Sequence, residues 1–75
     1  MAKGMLWQGN NKDPLAMLEA GIAHYVARRL RYPACVRVRA ETLGGATINE
    51  VHGVPVVVDV RVQPGCYLMC ESVEP

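Results

Sequence analysis

The feature that most constrains this chain is a change of hydrophobic period at Tyr32-Pro33. Before it, Leu15, Leu18, Ile22, Val26 and Leu30 recur at helical spacing, which places them on one face of an amphipathic helix. After it, Val36, Val38 and Ala40 alternate with Arg37, Arg39 and Glu41, the period-two mark of a half-buried strand. The residue before a proline avoids the helical region, so Tyr32-Pro33 stops the helix. Its start is marked too. Asp13 is a good N-cap, because its carboxylate accepts an orphan backbone N–H. Pro14 suits the first helical position, where its missing N–H costs nothing. Arg28, Arg29 and Arg31 lie towards the far end, where cations favour the helix dipole.

Gly44-Gly45 supplies a turn, and residues 46–51 are a weaker strand candidate. Residues 54–62 are the strongest. Val54, Val56, Val58, Val60 and Val62 fall on one face, opposite Pro55, Val57, Asp59, Arg61 and Gln63. A one-residue slip would expose all five valines, so the register is firmly specified. Pro55 cannot donate a ladder hydrogen bond and belongs at an edge or strand start. After the turn signal Pro64-Gly65, residues 66–73 return as a last strand. Its two sides are Cys66, Leu68 and Cys70, and Tyr67, Met69 and Glu71. The expected fold is α+β: one N-terminal helix packed on a three- to four-stranded antiparallel meander sheet. Residues 1–12 read as a flexible N-terminal arm and residues 13–75 as a single domain. Within the arm, Met5, Leu6 and Trp7 are three consecutive large apolar residues suited to docking on the body or on a neighbour.

Size shapes the function classes. A chain of 75 residues buries only about 60% of its unfolded surface, and small scaffolds compensate with disulfides, a metal or oligomerisation. The three cysteines, Cys35, Cys66 and Cys70, make a poor disulfide framework because the count is odd. No secretion signal and no apolar run of about 20 residues is present, so free thiols in the cytoplasm are expected, with no membrane partner. A net charge of +1 gives no general attraction to nucleic acid.

Candidate chemistry is sparse. Cys66 and Cys70 on one extended strand stand about 13 Å apart, too far to share a zinc at about 2.3 Å per Zn–S bond. Buried free thiols are the simpler reading. His52 with Glu50 or Asp59 and a thiol makes a triad only on paper. Gly44-Gly45 lacks the lysine and hydroxyl of a P-loop. No cofactor, metal or catalytic residue is therefore expected, and the chain reads as a non-enzyme.

Association is the stronger theme. Arginine supplies six of the eight basic residues, and its planar fork suits phosphate or carboxylate. Arg37, Arg39 and Arg61 on a sheet face would serve a small RNA- or DNA-binding domain, or pair across strands with Glu41, Asp59 and Glu71. Val57, Tyr67 and Met69 are expected to form an apolar strip in that face, extended by Trp7, with the three arginines at its rim. Tyr, Trp, Met and Arg are the types enriched in interfaces. The leading expectation is a protein-protein interaction module that forms a homo-oligomer or binds an unidentified protein, with nucleic acid as the alternative partner.

The run Gly53-Val54-Pro55-Val56-Val57-Val58-Asp59, followed by Pro64-Gly65, resembles a phrase in small phage and prophage proteins of unassigned role. The resemblance covers about a fifth of the chain. It implies a mobile-element origin, and with it a virion component or an inhibitor of a host factor. It carries over no catalytic residue.

Overall fold

The structure is a computed structural model and describes residues 4–8 and 13–71. It is α+β, with one helix and a mixed five-stranded sheet among those residues. The elements are β1 (Gly4–Trp7), α1 (Pro14–Arg29), β2 (Cys35–Val38), β3 (Glu50–Val51), β4 (Val54–Val58) and β5 (Tyr67–Cys70). A short 3-10 turn, Ala40–Leu43, follows β2. No helix among the described residues is long and apolar enough to cross a membrane.

Both ends of α1 are built from local chemistry. The Asp13 carboxylate accepts the N–H of Leu15 at 3.1 Å, and Pro14 opens the first turn. At the other end Leu30 takes a left-handed conformation, and its N–H reaches the Val26 carbonyl at 2.8 Å. The buried side of the helix is Met17, Leu18, Gly21, Ile22 and Tyr25. The stripe is therefore rotated from the expected one. Leu15 and Leu30 are exposed, because Leu15 sits in the first turn and Leu30 lies past the last.

The sheet is not an antiparallel meander. Its order is β1-β5-β2-β4-β3. Strand β5 runs antiparallel to both β1 and β2, so β1-α1-β2 is a split βαβ unit with β5 inserted between its strands. Strand β4 is parallel to β2. The alternation beyond Val38 does not continue as sheet: the chain enters the 3-10 turn and crosses over, seating Leu43 and Ile48 in or against the core. The chain then runs back through β3, and the β3-β4 hairpin reverses it again, so that β4 arrives parallel to β2. The β3-β4 hairpin is turned by His52 and Gly53 at φ 52° and 80°. Two successive positive φ values make the type I′ turn that matches strand twist.

Two boundaries depart from the sequence reading for stated reasons. Residues 4–7, read as part of a flexible arm, pair with β5 from Gly4↔Cys70 to Trp7↔Tyr67. The long valine strand stops at Val58, because the Asp59 carboxylate accepts the N–H of Arg61 at 2.9 Å and bends the chain. Val60 is consequently 73% exposed while Val62 is buried, so the five valines do not share a face. Of residues 46–51 only Glu50–Val51 is strand.

Register sorts the side chains into rows. Met5, Met69, Val36 and Val56 form one row, and Trp7, Tyr67, Val38 and Val58 another. Most of these residues belong to or pack on the core with Leu18, Ile22 and Tyr25, so both rows lie under α1. Gly21 is where the helix comes closest. A Cβ there would stand 2.7 Å from the Trp7 ring and would also collide with Met69.

Candidate protein-interaction surface

The opposite face of the sheet carries the row Leu6, Leu68, Arg37 and Val57, drawn from four strands by their register. Cys70 and Cys35 are direct partners on the same face. An antiparallel sheet left open on one side is normally polar there. This one is not: one arginine stands among leucines, a valine and two thiols. Leu6 is 51% exposed and Val57 38%, Leu68 is half-buried, and α1 lies on the other side.

The single charge in the row is neutralised in place. Arg37 Nη1 donates to Asp59 Oδ2 at 3.0 Å. Arg61 donates to the same carboxylate through Nε and Nη2, both at 3.0 Å. The Asp59 side chain is held well below the usual carboxylate range, first by the Arg61 guanidinium, then by the Arg61 backbone N–H, with Arg37 adding and partial burial opposing. A carboxylate accepting several such bonds stays ionised even in strong acid. The Arg37 guanidinium also lies against the Cys70 thiol.

The expected interface residues are separated by this geometry. Arg37 and Val57 do share the outer face. Tyr67 and Met69 do not: they are buried at 4% and 0% exposure in the core under the helix. Trp7 also faces inward, its ring 5.0 Å from that of His24. Arg39 lies beyond the end of β2, where it pairs with Glu41 and donates to the Val60 carbonyl. Arg61 sits in the turn after β4. Tyr67 and Met69 lie inward: β5 is apolar on both faces, and period two alone does not say which face meets the helix. Leu68, not expected there, joins Leu6, expected to dock on the body or on a neighbour, on the outer face. The signal that identifies them is bulk: Tyr67 and Met69 are the larger pair and fill the space under the helix.

Other chemistry-bearing groups are dispersed. His52 Nε2 lies 3.2 Å from Glu19 Oε2, with both side chains about half exposed. They flank an open cleft of about 380 Å³ floored by Ile22, Ala23 and Val26. All three cysteines are free and buried. Among the described residues no group of three or more His, Cys, Asp or Glu side chains gathers as a metal site. Comparison with protein-family models, curated proteins and solved structures gives no significant match.

Proposed function

We propose that this chain is a non-enzymatic protein-protein interaction module that self-associates through the outer face of its sheet. One observation carries the reading: the row Leu6–Leu68–Arg37–Val57 is apolar apart from a pre-paired arginine, and its two ends, Leu6 and Val57, are exposed. A second copy is the occupant the chemistry favours. The chain is nearly neutral, so two copies do not repel. Arg37 is already bonded to Asp59, a carboxylate it shares with Arg61, so it would not enter the interface without an ion partner. A domain of this size also gains stability by burying further apolar area.

The nucleic-acid reading is weaker. Arg29, Arg37, Arg39 and Arg61 are each in a salt bridge with a carboxylate of the same chain, which leaves fewer guanidinium groups for phosphate. The setting we infer is the one the sequence resemblance implies, a protein carried by a mobile element.

The test is the double variant Leu6→Arg, Val57→Arg. Both sites are exposed, so monomer stability should change by no more than about 0.5 kcal/mol at each. Loss of association in a variant that still unfolds cooperatively supports the reading. Association at undiminished strength removes it.

A further inference from the structure

We infer that Cys35 and Cys70 form an oxidative modification site, a dithiol that a small peroxide converts to a cross-strand disulfide. The two are direct register partners on β2 and β5. Opposed residues of an antiparallel pair point to the same face, with Cα atoms about 4.5–5.5 Å apart. A disulfide spans Cα separations of about 4.4–6.8 Å, so the bond closes without moving either strand. Burial first, and then the neighbouring Cys35 thiol, push Cys70 upward. Arg37 opposes this rise only in part, so the reactive thiolate forms when the strand ends open.

Access comes from position. Cys35 is the first residue of β2 and Cys70 the last of β5, so the pair sits at one end of the strands. Strand ends open locally at far less cost than the whole fold. Cys66 lies outside β5, four residues and about 13 Å of extended chain from Cys70, and has no such partner. In the reaction one thiolate attacks a peroxide oxygen, the O–O bond breaks, and a sulfenic acid and water form. The second thiol then attacks the sulfenic sulfur and expels a second water. Two thiols lose two electrons and two protons in total, and hydrogen peroxide is reduced to water.

The experiment treats the full folded chain with hydrogen peroxide and reads intact mass, followed by peptide mapping after alkylation. The expected result is loss of two hydrogens, a linked pair of peptides containing Cys35 and Cys70, and an alkylated Cys66. A Cys66→Ala variant should form the same link, and a Cys35→Ala variant should not. The oxidised chain should show a higher urea midpoint that dithiothreitol reverses. A link involving Cys66, or sulfinic acid at Cys70 without a link, overturns the assignment. So does the survival of all three thiols under conditions that oxidise the urea-unfolded chain.

Discussion

The two faces of the sheet are both apolar, yet they meet different fates. The inner face is closed by α1: Val36, Val38 and Met69 are all inaccessible to solvent, and Gly21 lets the helix sit against Trp7 and Met69. The outer face has Leu6 and Val57 open and a single charge neutralised by Asp59. The inner face therefore stores the stability of the monomer, and the outer face is the surface we propose for association. Substitutions should separate these two roles.

The largest effect belongs to the inner face. Leu18→Ala removes a fully buried side chain, and should lower stability by about 2–5 kcal/mol. In so small a domain that is enough to leave much of the protein unfolded at room temperature, as circular dichroism would show. Gly21→Ala is the next test. Alanine is the better helix former by about 1 kcal/mol, but crowding at the Trp7 contact should reverse the sign and destabilise by about 1–3 kcal/mol. A gain in the urea midpoint would mean that the close approach is not real.

A smaller, opposite effect is expected at Tyr25. Its ring is buried, and its hydroxyl has no hydrogen-bond partner among the described residues. Removing an unsatisfied buried hydroxyl in Tyr25→Phe should stabilise by about 1 kcal/mol, and a loss of stability would reveal a partner. The smallest effect concerns acid. Asp59 has a lowered pKa in the fold, so its ion pairs contribute fully above the ordinary Asp value of about 3.9 and are lost as pH falls further. The urea midpoint should therefore drop between about pH 5 and pH 2, and the drop should be shallower in Asp59→Asn. An equal slope in both proteins would assign the acid sensitivity to other carboxylates.

Much of this was legible in the chain. Asp13-Pro14 and Tyr32-Pro33 bracket the helix, and Val36–Val38 and Val54–Val58 appear as strands where the valines alternate. The topology was not legible. Strand β1 is only four residues, Gly-Met-Leu-Trp, with no alternation to mark it. The parallel pairing of β2 with β4 depends on a connection that holds one 3-10 turn and the two-residue β3, and segments so short carry no period. The turn at Asp59 was hidden because the valine alternation runs on past it. The candidate surface suffered from the same limit. Arg37 and Val57 lie on the outer face, whereas Leu68 stands there in place of Tyr67 and Met69, because a strand apolar on both sides leaves its orientation to tertiary packing.

The central claim is that the outer face is covered by a second copy. The most direct measurement is the solution mass of the purified chain by light scattering across a tenfold dilution and at two salt concentrations. A face covered in this way gives a species of at least twice the 8.2 kDa chain mass that persists in high salt, as burial of an apolar row requires. A clean monomer at every concentration would contradict it.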